Sequence, residues 1–310
     1  MSLIPRIGER IGEYIVTDHW LVDPSRFSIL FKVVRAGVGG AECVMKMLNP
    51  LYRCSDKKGE ILDDFLREID TLTSVGGHPT IVSVVGVVRD PGNERYAYIM
   101  PYLEGPTLEQ FAHGVLSKTG NVSGIAENIP YQYLRAILLI GSVLADALTY
   151  LHGRGVIHRD VKPTNVIMQP DGPVLIDFDC VSVSSRAVTH RVNHRIPGRV
   201  GTWGYMSPEA FRGEITSPVA DTFNLGATMR ACLTGLDPYS DEVLLAMPTG
   251  EQVWSEHERR HEEPVLPVRS IPGMPDALRM LLDGATHQYA FARPTMIQFR
   301  DGLKMILDQV

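Results

Sequence analysis

The stretch that decides the fold is Val156–Met168, which reads Val-Ile-His-Arg-Asp-Val-Lys-Pro-Thr-Asn-Val-Ile-Met. Two short apolar runs flank a cluster of polar side chains: His158, Arg159, Asp160, Lys162 and Asn165. Pro163 has no backbone N–H to donate, so a regular helix cannot run through the cluster. The apolar flanks therefore predict buried anchors, and the middle predicts a loop that presents polar side chains.

The spacing in this loop matches the pattern H-R-D-x-x-x-x-N, and on these residues the chain resembles a eukaryotic-type serine/threonine protein kinase. In that family the aspartate accepts the proton of a substrate hydroxyl, and the asparagine holds a magnesium ion. The resemblance implies that Asp160 is the catalytic base, that Lys162 steadies the γ-phosphate of ATP and that Asn165 is a metal ligand. A polar surface turn with the same letters is the alternative, and the downstream motifs weigh against it.

The composition is typical of a soluble globular chain, with 44% hydrophobic and 21% charged residues among 310. A net charge of −6 argues against a general nucleic-acid binder. No apolar run approaches the roughly 18 residues of a membrane helix, and residues 1–14 lack the apolar core of a signal peptide. We therefore expect a cytoplasmic protein without a membrane partner. The spacing of the cysteines indicates no metal site: they are Cys43, Cys54, Cys180 and Cys232.

The N-terminal part predicts a hairpin that follows an irregular lead-in of residues 1–13. Tyr14–Trp20 and Phe27–Val34 alternate apolar and polar residues, which predicts two antiparallel strands. In a protein kinase this hairpin is a glycine-rich lid over the nucleotide phosphates. Here Asp23, Ser25 and Ser28 occupy the three glycine positions.

The loss of these glycines predicts weaker nucleotide binding, because glycine lets the backbone approach phosphate oxygens closely. Asp23 adds a negative charge near a polyanion, whereas the hydroxyls of Ser25 and Ser28 and the side chain of Arg26 can still donate to phosphate. A plain turn, for which Asp-Pro-Ser is ordinary chemistry, remains an equal alternative to a nucleotide-binding lid.

A lysine and a glutamate predict a buried ion pair. Lys46 is the only cation in the apolar strand Glu42–Leu48, and such a lysine needs a partner. The amphipathic helix predicted over Ile61–Ser74 carries Glu68 beside its apolar face. The resemblance implies that Lys46 binds the α and β phosphates and that Glu68 orients it. Taken singly, either residue would more often be a solvated surface charge.

Two further strands, Ile81–Val88 and Tyr96–Pro101, complete a predicted five-stranded sheet. The segment Ile99–Gly105 resembles a kinase hinge, with Met100 as gatekeeper. Adenine recognition there uses the backbone, so a proline at position 101 is tolerated. The resemblance implies these residues around the nucleotide: Leu30, Val44, Met100, Pro101, Leu103 and Ile167.

The C-terminal part predicts mostly helices. A strongly amphipathic helix over Tyr131–His152 delivers the chain to the catalytic loop, and a short helical run at Leu108–Phe111 precedes a polar connection over 113–130. Further helices are expected from Asp221 to Leu233 and from Met296 to Leu307.

A strand over Pro173–Phe178 ends in Asp177-Phe178-Asp179, which resembles the family's D-F-G with aspartate in place of glycine. A carboxylate at a strand end near Asn165 is a hard oxygen site suited to magnesium. Asp177 is therefore the second expected metal ligand. The substitution at position 179 removes the conformational freedom of glycine.

Residues 180–206 form the expected activation segment. From Cys180 to Ser207 there is no acidic residue, but there are four arginines: Arg186, Arg191, Arg195 and Arg199. This basic segment suits an acidic or phosphorylated partner, or a phosphate on a nearby hydroxyl such as Ser182 that Arg159 helps to hold. A solvated loop is the alternative.

The segment closes with residues 201–209, which resemble G-T-x-x-Y-x-A-P-E with Ser207 in place of alanine. The resemblance implies that Thr202 bridges Asp160 and Lys162 and that acceptors are serine or threonine. Glu209 and Arg293 resemble the family's buried structural ion pair.

The ordered motifs resemble the two-lobed, α+β protein kinase fold, with a small five-stranded N-lobe, one main helix in that lobe, and a larger, mostly helical C-lobe. We expect a lead-in at 1–13 and a kinase domain at 14–310. Within it, the N-lobe covers about 14–100, the hinge about 101–105 and the C-lobe about 106–310.

The function implied is transfer of the γ-phosphate of ATP to a protein serine or threonine hydroxyl, with Mg²⁺ or else Mn²⁺. Thr164 stands where basophilic kinases often carry glutamate, so we expect acidic or neutral sequences around the acceptor. A pseudokinase that senses nucleotide or acts as a scaffold is the alternative, motivated by the glycine-free hairpin and by Asp179. A small-molecule phosphotransferase of related fold is weaker, because Lys162 and Ser207-Pro208-Glu209 favour protein kinases.

Overall fold

The computed structural model describes residues 4–21, 27–37, 40–50, 60–90, 95–119, 126–183, 201–239, 259–260, 263 and 265–310. The chain divides into two compact units, Met1–Glu104 and Gly105–Val310, here the N-terminal and C-terminal units.

The N-terminal unit contains an antiparallel sheet in the order β1-β2-β3-β4-β6-β5. Its strands are β1 (Arg10–Ile11), β2 (Tyr14–Leu21), β3 (Ser28–Arg35), β4 (Glu42–Leu48), β5 (Gly86–Asp90) and β6 (Arg95–Pro101). The strict alternation of β3, with Ile29, Phe31 and Val33 fully buried, places its apolar side chains in one core cluster. The predicted β2–β3 pairing is confirmed.

The sheet has one more strand than expected, because part of the lead-in is ordered as β1. Gly12, at φ 59°, turns the chain so that Ile11 pairs with Tyr14, and both side chains enter the core. Tyr14 also lies over Gly86, where an added Cβ would collide with its hydroxyl. A two-residue strand carries too little alternation to be recognised in a sequence.

The strand expected at Ile81–Val88 begins later, at Gly86. Ile81 and Val82 are buried, at 4% and 3% exposure, but the amide of Ile81 donates to the His78 carbonyl in a turn. An apolar run therefore marked burial and not strand structure. The helix α1 (Glu60–Ser74) agrees closely with the expected range and buries Phe65 and Leu72 completely.

The C-terminal unit consists mainly of helices, with two small pairs of strands. The helices are α2 (Leu108–Thr119), α3 (Tyr131–His152), α4 (Pro208–Phe211), α5 (Val219–Thr234), α6 (Asp276–Ala285) and α7 (Met296–Leu307). The strand pairs are β7 (Val156–Ile157) with β10 (Ser182–Val183), and β8 (Val166–Gln169) with β9 (Gly172–Leu175). The strand expected over Pro173–Phe178 thus ends at Leu175, before the Asp-Phe-Asp segment.

Helix α2 is longer than the expected run of Leu108–Phe111 and includes part of the expected connection. Leu108, Ala112 and Leu116 are four residues apart and are all buried, which explains its extension to Thr119. The rest of this connection includes residues 120–125, which lie outside the described residues.

By length and composition, α3 is the one helix in the described ranges that could cross a membrane. However, 61% of its most apolar window is buried in the protein, so the helix is in that respect like the core helix of a soluble protein. The expectation that no segment reaches this length is corrected accordingly, and the helix is weak evidence for a span.

Candidate active site

In the N-terminal unit, Lys46 and Glu68 form a buried ion pair. Lys46 Nζ donates to Glu68 Oε1 at 2.9 Å, and the two residues are only 4% and 3% exposed. β4 presents the lysine, and α1 presents the glutamate from the turn that follows Phe65. The structure therefore brings together the two residues that the sequence paired across 22 positions.

The sheet face that carries Lys46 also carries several of the residues expected around the nucleotide. Directly opposed residues of antiparallel strands lie on the same face, and Leu30 opposes Lys46 while Met100 opposes Val44. The opposite face packs the core around Phe31. Leu30, Val44, Lys46 and Met100 thus form one surface.

The remaining residues expected around the nucleotide are more scattered. Ser28 opens β3, and Pro101 ends β6. Leu103 follows as part of an irregular segment, and Ile167 lies in β8 of the C-terminal unit, where it pairs with Val174. Ser25, with Asp23 and Arg26, lies outside the described residues, so the lid prediction stays a prediction.

The C-terminal unit gathers four polar side chains around the Asp160 carboxylate. Lys162 Nζ donates to Asp160 Oδ2 at 2.7 Å and to Thr202 Oγ1 at 2.6 Å, and Thr202 donates to Asp160 Oδ1 at 2.9 Å. The amide nitrogen of Asn165 donates to Asp160 Oδ2 at 3.1 Å and to its carbonyl oxygen at 3.0 Å. We refer to these four residues as the Asp160 cluster; its donors fix the orientation of the carboxylate.

The charges within the cluster reinforce one another. Burial by itself lowers the pKa of Lys162, but the adjacent Asp160 carboxylate outweighs this effect, so the pKa is raised overall. Lys162 therefore remains a cation at neutral pH, next to the carboxylate that it orients.

Asp221, at the start of α5, holds the backbone of the catalytic loop. Its fully buried carboxylate accepts hydrogen bonds from the amides of His158 and Arg159, at 2.9 and 2.7 Å, and lies 2.7 Å from His152 Nε2. Burial raises the pKa of Asp221, but the His152 contact and the amide donors outweigh it, so the pKa is lowered. These two amides explain why Arg159 can keep a φ of 67°.

The segment Asp177-Phe178-Asp179 has one strained residue, which is not the one expected. Asp177 has a φ of 66°, and among the described non-glycine residues only it and Arg159 have positive φ. Asp179 therefore adopts ordinary backbone geometry. Phe178 is fully buried, with its ring 4.6 Å from that of His158, which anchors the segment beside the catalytic loop.

Arg159 is directed toward the start of the expected activation segment. Its guanidinium donates to the carbonyl oxygens of Cys180 and Val181 at 2.5 and 3.2 Å. The segment from 184 to 200, with its arginines, lies outside the described residues, and Ser182 is in β10. The phosphate-binding role expected for Arg159 therefore stays a prediction.

Glu209 and Arg293 form the expected buried ion pair. The two guanidinium nitrogens donate to the two carboxylate oxygens at 2.6 and 2.7 Å, and the side chains are 8% and 0% exposed. This double contact links α4 to the segment before α7. It lies away from the Asp160 cluster in the sequence, and its role is structural.

Two contacts escaped the sequence reasoning. Asp221 was recognised only as a helix start, and Tyr98, whose hydroxyl donates to Glu68, was not singled out at all. Strand alternation would have placed Tyr98 on the same face as Met100, two residues later.

A match to a family model establishes the family. The description of that model is protein kinase domain, and it matches residues 27–301. This chain belongs to the protein kinase family. Kinases of this family use ATP and a divalent metal and act on proteins, and the relatives below identify the serine/threonine type.

Three bacterial relatives illustrate the similarity. The chain is 28% identical over 260 residues to the probable serine/threonine-protein kinase PkwA of Thermomonospora curvata, which covers 83% of this chain and 30% of the relative. It is 28% identical over 297 residues to PknK of Mycobacterium tuberculosis H37Rv, covering 94% and 24% respectively. The similarity to PkaA of Streptomyces coelicolor is 27% over 279 residues, covering 89% and 45%.

The chain spans between about a quarter and a half of the length of these relatives. What they share with it is the kinase domain, which makes the chain an ATP-dependent serine/threonine protein kinase domain. The pseudokinase alternative is not favoured by these similarities.

Proposed function

We propose that the described residues carry out transfer of the γ-phosphate of ATP to a serine or threonine hydroxyl of a protein substrate. The observation that supports this most is the Asp160 cluster, in which each polar side chain is hydrogen-bonded to the next. A base that is held by several donors needs little reorganisation when the substrate arrives. We extend the proposal from this domain to the whole protein.

In this proposal Asp160 accepts the proton of the attacking hydroxyl, because it is the carboxylate that the loop presents. Lys162 and Thr202 hold that carboxylate from both of its oxygens, and Lys162 also places a positive charge for the γ-phosphate. Lys46 binds the α and β phosphates, and Glu68 keeps the lysine oriented. Each of these residues acts through an atom whose contacts are given above.

The oxygen donors of Asn165 and Asp177 fit a hard divalent cation. Asn165 uses its amide nitrogen toward Asp160, so its oxygen is the atom left to face a metal, and Asp177 contributes a carboxylate. We propose Mg²⁺, with Mn²⁺ accepted by the same oxygens. When bound with ATP, the ion neutralises charge on the phosphates.

The role of Lys46 is tested by Lys46→Arg, which keeps the positive charge. Arginine has a rigid fork in place of a compact ammonium, so it cannot reproduce both the Glu68 contact and the phosphate contact. We expect incorporation of labelled γ-phosphate into a generic protein substrate to fall about 100-fold. Thermal unfolding should show that the variant is folded.

The control for this experiment is Lys118→Met, at the exposed end of α2, which should retain full activity. Full activity in Lys46→Arg would contradict the role of Lys46. Background labelling by the intact protein with Mg²⁺, across generic substrates, would contradict the proposed function itself.

The proposed substrates carry acidic or neutral residues around the acceptor. Thr164, in the turn Pro163–Asn165, offers no negative charge to an arginine upstream of the acceptor. The basic residues between 186 and 199 favour an acidic or phosphorylated partner. We expect a peptide library to be phosphorylated best on acidic sequences, and a preference for upstream arginine would contradict this.

We also propose a cytoplasmic location, with no nucleic-acid or membrane partner. Cys43, Cys180 and Cys232 are free thiols, as in a reducing compartment. The net charge of −6 gives no general attraction to nucleic acid.

A further inference from the structure

Tyr98 is a buried tyrosine that shares an acceptor atom with Lys46. It lies in β6 and is 1% exposed. Its hydroxyl donates to Glu68 Oε1 at 2.7 Å, and Lys46 Nζ donates to the same oxygen at 2.9 Å. Glu68 is therefore held by two donors that come from two adjacent strands.

The register of the sheet fixes this arrangement. Tyr98 directly opposes Lys46 in the β4–β6 pair, so both side chains project from the same face toward α1. The Tyr98 ring lies 6.0 Å from the ring of Phe65, three residues before Glu68 on that helix. The hydroxyl can reach the carboxylate because the ring is packed at this distance from the helix.

The second oxygen of Glu68 makes the Tyr98 contact important. Oε2 is buried, and no hydrogen-bond partner for it is found within the described part of the chain. Oε1 therefore carries the hydrogen bonds that fix the carboxylate. A charged acceptor strengthens such bonds, and a buried carboxylate that lost one would have few others to keep its orientation.

We propose that Tyr98 is a positioning residue for phosphotransfer: its hydroxyl holds Glu68 so that Oε1 faces Lys46. This inference rests on the proposed role of Lys46 in binding phosphate. A flexible lysine side chain has many rotamers, and the glutamate restricts them only if it is itself fixed. Tyr98 supplies that restraint from the sheet, independently of Lys46.

The variant that isolates this role is Tyr98→Phe, which removes the hydroxyl and keeps the ring that packs on Phe65. The matched control is Tyr96→Phe, on the same strand and the same face but only half-buried. We expect Tyr98→Phe to lower kcat/KM for ATP about tenfold, and to leave KM for the peptide substrate unchanged. Tyr96→Phe should change neither.

Binding measurements separate positioning from packing. By titration calorimetry, Tyr98→Phe should weaken the binding of Mg²⁺-ATP about tenfold and leave the binding of adenosine unchanged, since adenosine has no phosphate for Lys46. Equal weakening of both ligands would mean that the ring has moved, and would overturn the inference. Unchanged ATP binding would overturn it as well.

A chemical measurement on the nucleotide-free protein does not depend on activity. The rate at which acetic anhydride modifies Lys46, followed by mass spectrometry, should rise several-fold in Tyr98→Phe, because a lysine released from its ion pair reacts faster. Lys118 serves as the internal reference. An unchanged rate would overturn the inference. A raised rate in a protein whose intact form does not transfer phosphate would contradict the proposed function alone.

Discussion

Replacing Asp160 by asparagine is expected to lower the rate of phosphotransfer by a factor of about 10² to 10⁴, the usual contribution of a positioned general base. Asparagine has the same shape, but it is neutral and cannot take up the hydroxyl proton. It also places an NH₂ group where the carboxylate now accepts from Lys162 or Thr202. The decisive measurement is the initial rate of γ-phosphate labelling at saturating ATP.

The matched control is Asp171→Asn, an exposed aspartate in the turn between β8 and β9. It should keep the rate of the intact protein. Both variants should unfold at temperatures near that of the intact protein, so that a lost rate reflects chemistry. If Asp160→Asn kept more than about a tenth of the rate, Asp160 would not be the base.

The second large effect is expected on stability, from Glu209→Gln. Glutamine keeps the volume but leaves the Arg293 guanidinium buried without its counter-charge, and breaking a buried pair in this way typically costs about 3 to 5 kcal/mol. The free energy of unfolding from urea titrations at neutral pH should fall by about that amount. The rate of phosphotransfer of the folded protein should change little, because the pair contacts no residue of the Asp160 cluster in the described structure.

The pH dependence gives the same pair a second signature. Burial raises the pKa of Glu209, but the Arg293 guanidinium outweighs burial and holds the pKa below its ordinary value of 4.5. The unfolded state therefore binds the proton first as the pH falls. The stabilisation is complete above that ordinary value and is lost as the pH falls through the lowered folded-state pKa. Glu209→Gln should remove this part of the acid dependence.

A surface pair on the same segment provides the comparison. Arg212 and Glu214 are bridged at 2.6 Å, yet their side chains are 49% and 52% exposed. Glu214→Gln should therefore lower the free energy of unfolding by less than about 1 kcal/mol. A similar loss in Glu209→Gln and Glu214→Gln would mean that burial of the Glu209 pair contributes nothing.

Local patterns predicted the parts of the fold that are decided by neighbouring residues. The limits of β4, α3 and α7 agree with the sequence, since each has an uninterrupted period and clear ends. The start of α2 also had a signal that was not used: Thr107 and Gln110 form a reciprocal capping box, in which each side chain accepts from the other's amide.

The contacts that the sequence did not predict join distant parts of the chain. Asp221 lies 63 positions after His158, and only the packing of α5 beneath the loop brings its carboxylate to the two amides. Tyr98 and Glu68 are 30 positions apart. No periodicity encodes such pairs, and the resemblance supplied Lys46 with Glu68 because both positions belong to a known motif.

The backbone of Asp179 bears on how this family varies. In this structure the strained position of the Asp-Phe-Asp segment is Asp177, and residue 179 does not require a left-handed conformation. A side chain there adds none of the roughly 1 to 2 kcal/mol that such a conformation would demand. Position 179 is therefore open to evolutionary drift in this conformational state, and an aspartate found there in other genomes would not by itself mark a lineage as having abandoned phosphotransfer.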